Sequence, residues 1–167
     1  MSTTHRHPVT PTGPTLAGWR EWVGLPSLGI ARIKAKLDTG ARTSALHALS
    51  SERYTERGAP YVRLHVQPRQ RDDGRVVVVE TAIVDERIVS DSSGYRERRI
   101  VIAAELALGD GHWPIEVTIT NRDSLRFRML LGRSAMQGRV LVDPDRSYLF
   151  GLPPRPSTTR RARRQDP

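Results

Sequence analysis

Ile30-Ala31-Arg32-Ile33-Lys34-Ala35-Lys36-Leu37 runs without a break into Asp38-Thr39-Gly40-Ala41, and the reading of the fold turns on this junction. Ala31, Ile33, Ala35 and Leu37 share one side of an extended chain, with Ile30, Lys34 and Lys36 on the other. That imperfect period of two predicts a strand with one covered face. The strand ends on a carboxylate followed by a glycine turn, which brings backbone N–H groups close to the acid and makes a seat for its ionised form. Thr39 adds a hydroxyl that can reach across an interface while leaving the acid free. Taken alone, Asp-Thr-Gly fits an ordinary polar turn as well as it fits a catalytic one.

Outward from the junction the chain reads as short strands. Gly18 to Val23, followed by Leu25-Pro26, is expected to be an edge strand entering a turn. Tyr61 to Val66 is a strand, closed by a polar turn around Arg71-Asp72-Asp73-Gly74. Val76 to Val84 is β-branched and is expected to be highly buried. Arg99 to Ala103 makes another strand, and Gly109-Asp110-Gly111 is a tight turn before Trp113 to Thr120. Arg126 to Leu131 is expected to be a central strand stopped by Gly132, Arg133 to Gln137 a short helix, and Val140-Leu141-Val142 and Tyr148-Leu149-Phe150 closing strands. Many strands and little helix imply an all-β, closed or sandwich-like fold with one short helix near the C-terminal end. Residues 16–153 form the folded domain in this reading. Residues 1–15 are a Thr- and Pro-rich lead-in and 154–167 a basic tail, both expected to be disordered.

Composition narrows the chemistry. Of 167 residues, 37% are hydrophobic but only 5% aromatic, so the core rests on Val, Ile and Leu. The length suits one domain. Cysteine is absent, which excludes disulfides, thiolate metal sites and a cysteine nucleophile. No apolar run is long enough to span a bilayer and no signal-peptide core stands near the start, so cytoplasm is the default location. The net charge of +9 is concentrated at the ends: Arg6 and the segment from Arg155 onward, with five arginines and Asp166, carry +5 of it. A tail containing Arg160, Arg161, Arg163 and Arg164 suits a solvated segment, or contact with acidic partners or nucleic acid.

A second block sharpens the first. Met129-Leu130-Leu131-Gly132-Arg133 is an apolar strand ending in glycine, with Ser134-Ala135-Met136 opening a helix, roughly 90 residues after Asp38. Leu37-Asp38-Thr39-Gly40-Ala41 together with Leu130-Leu131-Gly132-Arg133 resembles the retropepsins, single-lobe aspartic proteases. The resemblance is closer still to a bacterial retropepsin-like family. It is carried by Arg20-Glu21-Trp22-Val23, the run from Ile33 through Asp38 to Arg42-Thr43-Ser44-Ala45-Leu46-His47, Thr120-Asn121-Arg122-Asp123 and Met129 to Arg133, and spans about residues 17 to 152. That family is commonly labelled an ATP-dependent zinc protease and is associated with an ATP-grasp glutamate ligase. Neither His-Glu-x-x-His nor a Walker loop is present, so neither zinc nor ATP is read from the residues and no cofactor or metal is assigned.

The resemblance implies a single-lobe acid-protease fold in which Asp38 is the catalytic carboxylate and Thr39 and Gly40 its structural partners. One lobe supplies one aspartate, so a peptidase of this kind is a homodimer with the two Asp38 residues meeting on a two-fold axis. Carboxylates about 3 Å apart share a proton, one acting as acid and the other as base toward water. Ala41, Arg42, Thr43, Ser44 and His47 follow the turn as lining or support. For His47 a metal-ligand or general-base role stands beside that of a hydrogen-bonded wall residue. Val89 to Arg96, with Asp91-Ser92-Ser93-Gly94, is either a substrate-covering hairpin or a simple turn, and Tyr54 to Gln70 is its rival. Asp123 would hold a turn or the dimer through charge-assisted hydrogen bonds, and Gly132 would close the second block. Arg133 would anchor the helix to the strand layer or to Asp123. Trp19, Trp22 and Trp113 read as core or interface aromatics.

Three functions follow from the sequence. The first is an aspartic endopeptidase acting on a peptide or isopeptide-like amide, with a glutamate-bearing protein as substrate; Arg42 and Arg133 suit acidic partners. The second is a non-catalytic peptide-binding or assembly module on the same scaffold. The third is a zinc hydrolase using His47 with His65 or His112 and a carboxylate.

Overall fold

The computed structural model describes residues 13–69, 74–121 and 126–152. Most of the lead-in and the whole basic tail from Pro154 lie outside them, as do Arg71 to Asp73 and Asp123. The strands, in chain order, are β1 (Thr15–Gly18), β2 (Arg20–Leu25), β3 (Ile30–Leu37), β4 (Ser44–His47), β5 (Ser50–Glu56), β6 (Ala59–Val66), β7 (Val77–Ala82), β8 (Asp85–Ser90), β9 (Arg96–Leu108), β10 (Gly111–Thr120), β11 (Met129–Leu131) and β12 (Val140–Asp143). A 3-10 turn, Pro26–Leu28, joins β2 to β3, and among the described residues the one α-helix, α1, is Arg133–Met136. The fold is all-β with one short helix near its C-terminal end, as the sequence predicts.

The main sheet has the order β10-β4-β11-β3-β2-β9-β8, and β9 also pairs with β10. Six strands thereby close on themselves, and β8 hangs on the free half of the long β9. Closure removes the exposed edges that an open sheet of this width would present. Inside lie Val23, Ile33, Leu46, Ile102, Leu106, Val117, Met129 and Leu131, all withdrawn from water. The period-two reading of β3 holds for Ile33, Ala35 and Leu37, which are buried. Ala31 is exposed while Ile30 is buried, because the β2–β3 register shifts between Val23 and Leu25. A second sheet, β5-β6-β7, is antiparallel, and β1 pairs in parallel with β12.

Several local expectations change once partners are known. The strand from Gly18 is not an edge: β2 lies between β3 and β9. The run from Val76 to Val84 is exposed or half-buried along most of its length. Within it only Val79 is buried, because β7 is the outer strand of a three-stranded sheet with one covered face. The strand expected from Arg126 is reduced to Met129–Leu131, whereas that at Arg99 to Ala103 extends to thirteen residues as β9. Leu149 and Phe150 form a turn rather than a strand. There the Tyr148 N–H donates to the Arg20 carbonyl (3.0 Å), and the Trp19 N–H to that of Arg146 (3.0 Å). Trp113 is buried and donates its indole N–H to the Ala135 carbonyl (2.9 Å), which fixes α1 on the barrel wall.

The C-terminal segment is locked by a buried acid. Glu21 is fully buried, and its Oε1 accepts the N–H groups of Gly18 (2.7 Å) and Leu149 (2.9 Å). One side chain thus satisfies two backbone donors, one beside it in sequence and one 128 residues further on. Leaving both donors unsatisfied carries a desolvation cost of about 2 to 5 kcal/mol. Urea denaturation of Glu21→Ala should show a loss in that range, and Glu21→Gln, which keeps the accepting oxygen, a clearly smaller one. An alanine variant as stable as wild type would mean that the clamp contributes nothing.

Candidate functional site

The chain crosses itself at the end of β3. β11 inserts between two consecutive strands, running parallel to β3 with Leu131 opposite Leu37, and antiparallel to β4 with Met129 opposite Leu46. The segment Asp38 to Thr43 must therefore loop around the end of β11. The Asp38 N–H donates to the Leu131 carbonyl (2.8 Å), which extends the β3–β11 ladder to the acid itself. Arg133 N–H donates to the Ala41 carbonyl (2.8 Å), and Ser134 N–H to that of Arg42 (3.1 Å). Gly132 N–H donates to the buried Ser44 Oγ (3.1 Å).

Gly132 is required at the crossing. A Cβ placed there would stand 2.5 Å from the Thr43 carbonyl carbon and 2.8 Å from the Arg42 oxygen, both backbone atoms. The two segments touch main chain to main chain, which only glycine permits. Gly40 is constrained more mildly: its N–H donates to Asp38 Oδ1 (3.0 Å), and a Cβ would press on that oxygen at 3.2 Å.

The Asp38 carboxylate sits at the surface of this crossing with its side chain 26% exposed. Oδ1 is held by the turn, and Oδ2 faces Lys36 Nζ at 3.4 Å. Thr39 and Gly40 beside it are exposed. Arg133 reaches over from α1 and donates through Nη1 to the Thr39 carbonyl (2.9 Å). Its described partner is the turn that carries the acid; Asp123, the other anchor expected, lies outside the described residues. Ala41 and Thr43 are half-buried, Arg42 is exposed and Ser44 is buried.

His47 lies at the far end of β4, fully buried. Arg128 Nη1 contacts its Nδ1 at 3.0 Å, and the His47 N–H donates to the Arg128 carbonyl (2.8 Å). A guanidinium only donates, so Nδ1 accepts and the ring is the neutral Nε2–H tautomer. With a fixed cation against it, this imidazole does not suit a metal ion. His65 contacts Ser50 Oγ (3.0 Å) on the second sheet. His112 contacts Glu105 (3.0 Å), eight residues back along β10 from Thr120, the partner of His47. Among the described residues no three of His, Asp or Glu are grouped to hold a metal. The zinc constellation expected as one alternative is not assembled.

Asp91, Ser92, Ser93 and Gly94 form the tip of the β8–β9 hairpin. Asp91 Oδ1 accepts from the Ser93 N–H (2.9 Å), the Ser93 hydroxyl (2.6 Å) and the Tyr95 N–H (3.0 Å). Gly94 takes φ +85° to close the turn. By register, Ile102 and Ser44 both flank Val117, so the tip lies beyond the His47 end of β4, in the direction away from Asp38. The rival segment, Tyr54 to Gln70, holds the end of β5 and all of β6, with Gln70 outside the described residues; β5 is tied to β8 by the Arg53–Glu86 ion pair. Sequence reasoning missed Lys36 as the partner of Asp38 and Arg128 as that of His47. The first was legible as a cation two residues before the acid on one strand face.

Residues 16–151 match the RimB-like family model, described as retropepsin-like aspartic endopeptidase RimB. The chain is 45% identical over 140 residues to a protein of Parasynechococcus marenigrum (strain WH8102) named probable alpha-L-glutamate ligase, covering 84% of this chain and 30% of that protein. A Shewanella pealeana protein of the same name is 42% identical over 136 residues, 81% of this chain and again 30% of the relative. The chain thus spans under a third of the length of these relatives. Among solved structures it is similar to Lpg0085 of Legionella pneumophila, described as of unknown function (DUF785). That likeness has a TM-score of 0.66 and 28% identity, and covers 81% of this chain and 97% of the other.

The crossing makes a direct prediction. Gly132→Ala should destabilise the domain by about 2 kcal/mol or more, since overpacking against backbone is relieved only by moving a strand. Thermal unfolding checks it; a variant as stable as wild type would mean that the main chains are not in contact.

Proposed function

Because the chain belongs to the RimB-like family of retropepsin-like aspartic endopeptidases, we propose that it hydrolyses a peptide or isopeptide-like amide bond through two Asp38 carboxylates, one from each of two copies. The observation that carries this reading is the seat of Asp38. It lies at the end of β3, pinned by backbone to β11, with one oxygen fixed by the Gly40 N–H and exposed residues, Thr39 and Gly40, around it. A single carboxylate on a rigid surface turn becomes a dyad when a two-fold axis passes beside it.

In such a dyad one proton is shared between the two acids. The ionised carboxylate takes a proton from a water as its oxygen attacks the carbonyl carbon, while the protonated partner gives its proton to the carbonyl oxygen. Collapse of the tetrahedral species then breaks the C–N bond, with the proton taken from water passing to the leaving nitrogen and one hydroxyl proton returning to the acid that had protonated the carbonyl, which restores the shared proton. No covalent enzyme intermediate forms. The relatives named for a glutamate ligase direct the choice of substrate to a glutamate-bearing chain.

One observation favours a second reading. Lys36 neutralises Asp38 within the same strand (3.4 Å), which suits a carboxylate that builds a turn on a peptide-binding module. The two readings separate cleanly. Asp38→Asn should abolish cleavage of a glutamate-bearing peptide, by about a thousandfold or more, with an unchanged circular dichroism spectrum and melting point. Mixing the variant in excess with wild type should also suppress activity, because mixed pairs lack one acid. Cleavage that survives the substitution, or a chain that stays monomeric at saturating substrate, would overturn the dyad.

A further inference from the structure

Lys36 and Asp38 stand two residues apart where β3 runs out, on the same face of an extended chain whose ladder to β11 continues through the Asp38 N–H. The four-carbon stem of the lysine spans that interval, and its Nζ comes to 3.4 Å from Asp38 Oδ2. The backbone of Lys36 is held on both sides, opposite Arg20 on β2 and opposite Leu130 on β11. The place of the ammonium is therefore set by one side chain on a fixed main chain.

The neighbouring cations are engaged differently. Arg133 donates from α1 to the Thr39 carbonyl (2.9 Å). Arg20 lies over Trp19 (4.6 Å) and Tyr148 (5.2 Å) and donates to Ser147 Oγ (3.0 Å). Arg42 is exposed on the turn, and β11 offers the apolar Leu130 opposite Lys36. The two oxygens of Asp38 also differ in use. Oδ1 accepts from the Gly40 N–H (3.0 Å), whereas Oδ2 faces the ammonium of Lys36. Lys36 is more open to water than Asp38, so its charge reaches whatever approaches the turn.

A two-fold axis beside Asp38 creates a difficulty that one chain does not have. Two ionised carboxylates about 3 Å apart repel, and taking up one proton removes only one of the two charges. Each copy, however, brings its own Lys36. With the acids on the axis the ammoniums stand outside them, each against its own acid and on the flank of its partner's. Attraction across the axis then acts over a shorter distance than repulsion between the two ammoniums.

We propose that Lys36 is a positioning residue of the dyad, whose ammonium supplies the counter-charge that lets two Asp38 carboxylates meet. This rests on the paired-Asp38 reading above. A lysine that only closes its own turn acts inside one chain and has no part in pairing.

The test is a double-mutant cycle on chain pairing, read by sedimentation equilibrium of the full chain at 50 mM and 500 mM salt. Lys36→Gln should weaken the dimer about three- to tenfold while Asp38 is present. In the Asp38→Asn background no charge is left to offset, and the same substitution should change pairing less than about twofold. Lys36→Arg keeps the charge and should stay within about twofold of wild type. The Gln effect should shrink at the higher salt. Arg98→Gln on β9 controls for net charge and should leave pairing within about twofold. Melting points are measured alongside, and Lys36→Met replaces the Gln variant if that one is less stable. A Gln effect of equal size in both backgrounds marks a turn-building lysine and overturns the proposal. So does a dimer that ignores Lys36 altogether; if cleavage is still lost on Asp38→Asn, the dyad stands without it. A chain that stays monomeric in every background, with a glutamate-bearing peptide present, ends the dyad and this inference with it.

Discussion

The main chain of Gly132 lies against the main chain of Arg42 and Thr43, and the rest of the site depends on that contact. It is the point where a strand from late in the sequence is threaded between two early, consecutive strands. Because β11 ends there, the Asp38 N–H finds the Leu131 carbonyl, and the turn after Asp38 is held by backbone donors from α1 instead of being left to solvent. A turn secured on both sides loses little further freedom when a ligand or second copy approaches, which is how a surface carboxylate keeps a fixed direction.

Around this crossing the protein spends its polar groups in two different ways. Buried ones are consumed internally: Glu21 clamps two remote backbone donors, Ser44 accepts from Gly132, and Arg128 fixes the tautomer of His47. Surface cations over β5 to β9 are largely matched by carboxylates, such as Glu86, whose acid is held below the ordinary range chiefly by its hydrogen bond from Arg53. The face of β2 and β3 leading to Asp38 is different, with cations fixed by aromatic rings. Exposed pairs contribute little to stability, so the fold loses little where Arg20 and Lys34 rest on rings instead of carboxylates.

The family shows the fold, and the relatives show that a similar stretch occurs within longer proteins named for glutamate ligation. A scaffold can keep its crossing and change its task. What this chain's geometry supplies is a single acid seated by backbone at the end of β3, with Lys36 beside it. Neither feature alone selects a reaction.

How much was legible in the sequence differs from residue to residue. The strand into Asp38, the stop at Gly132, the helix after it and the Gly109-Asp110 turn are local, set by side-chain period and glycine over a few residues, and the sequence alone determined them. It also determined that the fold is all-β, since short β-branched runs separated by turns admit little else. Tertiary structure decided which strand sits beside which. β2 proved interior, because nothing in its own residues says that β9 will close against it. Of the valines of β7 only Val79 proved buried, because composition reports apolarity but not whether a second layer arrives to cover both faces. Lys34 and Lys36 were visible as the polar side of a strand, yet one ring that Lys34 meets, Tyr148, comes from the far end of the chain. Periodicity fixes the face a residue takes; only pairing between distant segments fixes what that face will meet.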